Sequence, residues 1–349
     1  CSQNLPDVAI IDGTEHFNTV LYTGTGSSRS VTGVGFGSAP DFVWMKSRSD
    51  ASGHRLYDSV RGAGKGLSSE STGAEYTETG LTSFDSDGFS LGTQAGTNGS
   101  GTSMVAWNWL AGTAFSNSAG ANGATIASSG QVNTKAGFSI ISWTGIGSAG
   151  TVAHGLGATP TAIIIKNRDQ GDKWIVYHQG QNASPATGYL SLNESSAFGA
   201  STSVFNNTAP TSTVFTVNTG GSVNASSEKY IAYCFTDIEG YCKIGTYTGS
   251  SALPFVYCGF KPAFLLIKSY SSALESWPIK DSVRSPNNEN TIESYANLSQ
   301  SEYNDEYSNA DFLSNGFRLQ SNNVHANVTG SSYVFLAIGS QPFKFANGG

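Results

Sequence analysis

Three stretches of this 349-residue chain open, continue and close alike, and that repetition limits the fold more than any other feature. Each begins with an aromatic residue, threonine and glycine: Tyr22-Thr23-Gly24, Trp143-Thr144-Gly145 and Tyr247-Thr248-Gly249. A Gly-apolar pair follows (Gly35-Phe36, Gly155-Leu156, Gly259-Phe260), then a proline and an apolar run ending in lysine: "PDFVWMK", "PTAIIIK" and "PAFLLIK". Late in each copy stands an asparagine (Asn98, Asn224, Asn327), and each closes on an aromatic-rich run: "SMVAWNW", "KYIAYCF" or "SYVFLAI". The repeat length of about 100 to 120 residues is too long for a solenoid unit and suits a complete β-sandwich.

The repeated segments read as strands. The lysine-ended runs are apolar throughout, as a strand buried on both faces requires. "SMVAWNW" alternates, which puts Val105, Trp107 and Trp109 on one face. Turn sequences such as "SDG", "SNG" and "TGS" divide the runs. No long period-3.6 pattern occurs, so helix is scarce. The expected fold is all-β: three tandem antiparallel, jelly-roll-like β-sandwich domains. They divide as an extension at 1–16, repeat 1 at 17–112, a Gly/Ser/Asn-rich linker at 113–136, repeat 2 at 137–240, repeat 3 at 241–341 and a tail at 342–349.

Charged residues are 12% of the chain, about half the ~25% of an average domain. Aromatic residues are 11%, enough for a packed core. The net charge of −7 opposes nonspecific binding to nucleic acid or anionic lipid, which wants a basic face. No apolar stretch approaches the ~20 residues that span a bilayer as a helix.

"FDSDGFSLG", Phe84 to Gly92, offers three readings. Asp85, Asp87 and Gly88 could open a calcium loop, and Gly88-Phe89-Ser90-Leu91-Gly92 fits the G-x-S-x-G pattern of a hydrolase nucleophile. The third copy, "FLSNGFRLQ", lacks both carboxylates and the serine. What persists is Asp-Gly or Asn-Gly before an alternating strand, the signature of a hairpin turn.

Other candidate chemistry reads as structure. Gly145 to Gly150 fits G-x-G-x-x-G, but no helix can start after it to hold a pyrophosphate. "RGAGKG" at 61–66 has Gly66 where a phosphate loop needs Ser or Thr. The five histidines (His16, His54, His154, His178, His325) share no ligand spacing and read as scattered surface residues, although His54 and His178 fall near the Asp58 region of their own domains. Lys46, Lys166 and Lys268 recur; a lysine ending a buried strand snorkels to solvent or pairs with a carboxylate. The tetrapeptide Asp58-Ser-Val-Arg61 returns as Asp281-Ser-Val-Arg284 and reads as a structural ion pair. Asn-x-Ser/Thr sequons start at Asn98, Asn182, Asn193, Asn206, Asn224, Asn297 and Asn327. Cys242 and Cys258 flank a hairpin, so they are either a cross-strand disulfide in an oxidising compartment or two buried thiols. No C-x-x-C pair is present, which argues against zinc. No cofactor, metal or catalytic residue is expected.

Cys1 before Ser2 suits either a lipid-modified, processed N-terminus or an incomplete start. The apolar Val8, Ala9, Ile10 and Ile11 precede the first repeat and form a strand that pairs either with a neighbouring subunit or within its own domain.

The run "FNTVLYTG…VTGVGFGSAPDFVWMKSRS…LYDSVRG…LTSFDSDGFSLG…VAWNWLAG", with the later "EKYIAYCFTDIEGYCKIGTYTG", resembles a repeat domain found in predicted tail-fibre and virion structural proteins of bacteriophages, especially aquatic ones. The resemblance covers about Phe17 to Phe345 and carries no catalytic residues. It implies a non-enzymatic, adhesive component outside the cell or on a virion, partnered by itself and by a cell-surface glycan or protein. A self-assembling, pilus-like filament is the alternative. A fibre-borne glycan-degrading enzyme is a third reading, but the densest acidic stretch, near 301–311, lies in one copy only, whereas general acid and base roles need paired carboxylates.

Overall fold

The computed structural model describes residues 9–304, 309–322 and 324–340. Cys1, Val8 and the tail at 342–349 lie outside the described residues. Strands account for 42% of the chain and helix for 6%, so the fold is all-β and antiparallel.

Each repeat forms one unit around the same four-strand order. In unit 1 the opening strand Phe17–Thr23 pairs with the closing strand Ser103–Trp109; next come the middle strand Phe42–Ser47 and the fourth strand Arg55–Asp58. Unit 2 repeats the order with Phe138–Thr144, Lys229–Phe235, Ala162–Asn167 and Ile175–His178. Unit 3 does so with Cys242–Thr248, Ser332–Gly339, Pro262–Ser269 and Pro278–Asp281. A smaller sheet packs on the outer face of each main sheet. In unit 1 it is Arg29–Thr32, Gly88–Leu91 and Leu81–Asp85; in unit 3, Phe255–Tyr257, Gly316–Leu319 and Ala310–Leu313; in unit 2, the pair Gly150–Ala153 and Val214–Val217.

The apolar middle strands are explained by what lies on their two faces. Val43 and Met45 enter the core between the two sheets of unit 1, as Ile163 and Ile165 do in unit 2 and Leu265 and Ile267 in unit 3. Their alternating neighbours Phe42, Trp44, Ala162, Ile164, Phe264 and Leu266 all meet in one central core that the three units share. Val105, Trp107 and Trp109 lie on that inner face, as their alternation predicts. Aromatic rings from all three units meet there. Phe42 stacks on Tyr233 at 4.3 Å, and Phe264 sits edge-on to Phe17 at 5.6 Å and to Trp109 at 5.5 Å. Each unit therefore buries two apolar layers, one of its own and one held in common.

Two expectations need correction. The three units are consecutive in sequence but not separate bodies in a row, because the inner face of every main sheet is closed by the other two units. The segment 113–136 is not a linker. Thr113–Asn117 and Ser128–Asn133 are strands that extend the main sheet of unit 2 beyond its opening strand. Its small-residue composition has a steric cause at Gly130, where a Cβ would lie 1.8 Å from the carbonyl oxygen of Ile140.

Candidate functional site

Polar residues at equivalent positions gather where units meet, and three such contacts recur around the molecule in cyclic order. Asp58 and Asp281 end the fourth strands of units 1 and 3, and His178 holds that position in unit 2; they pair with Phe42, Phe264 and Ala162 respectively. Arg61 Nε reaches Asp58 Oδ2 at 2.5 Å, and Arg284 Nε makes the same contact with Asp281; all four side chains are buried. Each guanidinium also donates to its own strand, Arg61 to the Leu56 carbonyl at 2.8 Å and Arg284 to that of Ile279 at 2.9 Å. In unit 2 Gln181 replaces the arginine and donates to the carbonyls of Pro185 and Gly188, at 2.9 and 3.1 Å.

The next unit supplies the remaining partner. Tyr233 of unit 2 donates its hydroxyl to Asp58 of unit 1 at 2.7 Å, and the indole N–H of Trp107 of unit 1 donates to Asp281 of unit 3 at 3.0 Å. Arg284 also lies over the Trp107 ring, 5.1 Å from its centre. Leu336 is the register equivalent of Trp107 and Tyr233, facing Leu266 as they face Trp44 and Ile164. Leucine has no donor, and there His178 donates instead to the Phe335 carbonyl at 3.2 Å while its Nδ1 accepts the Gly180 N–H at 3.0 Å. Burial holds His178 down at about 4, and each carboxylate is wrapped by donors from two units.

A second ring lies outside the first. The residue before the fourth strand donates a ring N–H to a backbone carbonyl of the preceding unit: His54 to Tyr295, Trp174 to Ser68 and Trp277 to Ser191, each at 2.9 Å. His54 Nδ1 accepts the Trp44 indole N–H at 2.8 Å, which fixes the neutral Nε2–H tautomer, and burial lowers it to about 3. A third ring joins loops: the N–H groups of Glu75, Phe198 and Glu302 donate to the carbonyls of Arg168, Tyr270 and Arg48, at 2.8, 2.9 and 2.9 Å. Where the pair is Arg168 with Glu75 or Arg48 with Glu302, the side chains form two-pronged ion pairs. Where it is Tyr270 with Phe198, both rings pack on the central core.

The recurrent lysines do not snorkel and do not depend on carboxylates. Lys46 and Lys166 are fully buried and donate to the carbonyl of the next residue, Ser47 at 2.8 Å and Asn167 at 2.7 Å, and to one in the turn that follows, Asp50 at 3.4 Å and Gln170 at 3.1 Å; Lys268 donates to the carbonyls of Ser195, at 2.9 Å, and Glu275. Burial lowers each to about 8. The recurrent asparagines clamp the Thr-Gly turn: Asn98, Asn224 and Asn327 accept from the N–H groups of Thr25, Ile146 and Ser250, at 2.9, 2.9 and 2.8 Å. All three are buried, so three of the seven sequons are closed to glycosylation in the folded chain. Gly24, Gly145 and Gly249 are required by the same clamp, since a Cβ would lie 2.1, 2.1 and 2.2 Å from a carbonyl oxygen.

"FDSDGFSLG" is a hairpin, with Asp85 opposite Gly88. The turn residues are Ser86 and Asp87, so glycine is not needed for the turn itself; a Cβ on Gly88 would lie 1.9 Å from the Val31 carbonyl oxygen of the adjoining strand. Asp87 accepts the N–H groups of Gly33 and Gly35 at 3.1 and 2.8 Å, and Ser90 donates to Asp85 at 2.6 Å. Cys242 and Cys258 are separate buried thiols. They sit on different layers, Cys242 in the central core and Cys258 in the core of unit 3. His16, His154 and the two histidines above are also buried rather than scattered on the surface.

The Val8–Ile11 strand is corrected as well. Ala9 to Asp12 is not a strand, and Ile10 is buried in the central core. On the edge strands Phe17–Thr23 and Cys242–Thr248 a side chain meets an outward N–H. The outward N–H of Thr19 meets the Asn18 side chain at 2.9 Å, and that of Ile244 meets Asp237 at 2.9 Å.

A family model described as Domain of unknown function (DUF7483) matches residues 12–342. The chain belongs to that family. The match spans all three units, from the turn before the first opening strand. Comparison with curated proteins found no match. Among the described residues no helix is long and apolar enough to cross a membrane, and no three His, Cys, Asp or Glu side chains gather as a metal would require.

Proposed function

We propose that this chain is a non-enzymatic structural and adhesive module, displayed outside the cell or on a virion in the manner of a tail-fibre component. One observation supports this above the rest: the polar groups that recur in the three units are buried, and those at the ends of the fourth strands are spent on joining the units. A general acid or base must reach its substrate. Asp58, Asp281 and His178 instead face partners in the neighbouring unit. The outer surface carries few charges, so its contacts would rest on hydroxyls, amides and exposed rings such as Tyr257 and Tyr303.

Immunogold electron microscopy with an antibody to the chain tests the reading. Labelled projections on purified particles are the expected result, together with binding of the purified chain to cells and no release of reducing ends from their polysaccharide. Chain found only inside cells, or sugar release abolished by replacing one acidic residue, overturns it. The filament alternative, which used the segment around Ile10 as its pairing strand, loses support with Ile10 buried in the central core.

A further inference from the structure

The three units share a mouth, formed beside the opening strand and the Gly-apolar pair, and they differ in what fills it. In unit 2 the plug is Phe115, whose ring lies so close that a Cβ on Gly155 would stand 2.8 Å from it. In unit 1 the Asn18 side chain crosses to the Val34 carbonyl at 3.0 Å, and Asp87 holds the amides of Gly33 and Gly35. In unit 3 Lys243 stands in place of Asn18 and Asn315 in place of Asp87. The Asn315 carbonyl takes the N–H groups of Cys258 and Gly259, at 2.9 and 3.0 Å. Lys243 turns to Asp237 instead of crossing. The space that is filled in the other two units remains as a cavity of about 600 Å³, within the usual range for small-ligand sites.

The walls of this cavity describe an occupant. Tyr257 is 65% exposed, and the hydroxyl end of its ring lies beside Gly259, 3.4 to 3.8 Å from where a Cβ would stand. It offers one apolar face. Opposite it are the half-exposed Lys243–Asp237 pair, which both donates and accepts. A hydrocarbon ring like that of Phe115 would cover this pair without bonding to it, which is unfavourable. A hydroxyl-bearing pyranose has an apolar C–H face for the tyrosine and hydroxyls that serve both members of the pair.

We infer that the mouth of unit 3 binds one or two residues of a neutral saccharide, seated on Tyr257 and hydrogen-bonded to Lys243, Asp237 and Asn315. The inference rests on the adhesive reading above and names its ligand class. The test uses the full chain with maltotetraose, cellotetraose, mannotetraose and chitotetraose, with N-acetylphenylalanine amide as the peptide-like probe, followed by saturation-transfer NMR and calorimetry. At least one tetrasaccharide should bind, with a dissociation constant on the order of 1 mM. Tyr257→Ala should weaken it about tenfold or more, Tyr257→Trp should retain it, and Tyr303→Ala, at another exposed tyrosine, should leave it unchanged. Binding of none of the tetrasaccharides, binding that survives Tyr257→Ala, or binding of the phenylalanine amide alone would overturn it. Cell binding separates the two readings. Adhesion undiminished by Tyr257→Ala sinks the site and spares the adhesive role, whereas saccharide binding by a chain that adheres to no cell sinks the role and spares the site.

Discussion

The junction around Asp281 and the junction around His178 solve one geometric problem with opposite chemistry. At the first, a buried carboxylate is held by Arg284 of its own unit and by the Trp107 indole of the next. At the second, the carboxylate, the arginine and the aromatic donor are all absent, replaced by His178, Gln181 and Leu336. The three changes form one set. A carboxylate beside leucine would lose its second donor, and an arginine beside a neutral histidine would be an unpaired buried charge. The loop pairs repeat the lesson, with Arg48 and Glu302 at one junction and Tyr270 and Phe198 at another. What the three junctions keep in common is complementarity between neighbours, not residue identity.

The sharpest way to break the comparison is to remove one cation. Arg61→Ala or Arg284→Ala should each destabilise the chain by about 3–5 kcal/mol in urea unfolding, because a buried carboxylate is left behind. Gln181→Ala should cost only about 1–2 kcal/mol, the loss of neutral hydrogen bonds. Equal effects at the two junctions would remove the distinction.

Converting one junction into the other sharpens it. Trp107→Leu alone should cost about 2–4 kcal/mol, from lost volume and the lost donor to Asp281. Adding Asp281→His and Arg284→Gln should make the triple variant more stable than the sum of the separate effects by at least about 1 kcal/mol, read from a mutant cycle. Strict additivity would show that the set is not coupled.

Acid should act through the histidine side of the comparison. Burial holds His54, His154 and His178 at about 3, 4 and 4, below the ordinary 6.5. The unfolded chain therefore takes up protons first as pH falls. Their contribution is complete above about pH 6.5 and is lost progressively down to about pH 4. His178→Gln should flatten part of that slope in thermal melts between these limits.

The smallest effect belongs to the loop ion pairs. Arg48→Ala should cost about 1 kcal/mol, since Arg48 and Glu302 are partly exposed, and added salt should shrink the difference. Tyr270→Ala, at the apolar version of the same contact, should cost about 2–3 kcal/mol and be indifferent to salt.

Much of a single unit was legible in the sequence. The apolar middle strands and the inward face of "SMVAWNW" follow from periodicity, which is local; the hairpin after Phe84 was also expected, but its turn is Ser86-Asp87, and Gly88 answers to the neighbouring strand instead. The closed arrangement was not. An apolar run looks the same whether its second face is covered by its own sheet or by another unit, so the common core left no distinct mark. The pairing of Asp58 with Arg61 is local, three residues apart, and was readable; its third partner, Tyr233, lies 175 residues away. "HQGQ" at 178–181 aligns with the two Asp-Ser-Val-Arg motifs only once strand register is known. The segment at 113–136 read as a linker because its strands are built from small and polar residues, of which Gly130 is demanded by a close neighbour.

Because all three junctions run in one cyclic sense, each unit presents one surface forward and a different one behind, and the third unit returns to the first. Separate subunits joined this way would fall apart on dilution. Carried on one polypeptide they have no dissociation constant, and their order around the circle is fixed by translation. A chain shortened to two units would expose one unmatched surface of each kind, and such chains would be driven to link head to tail.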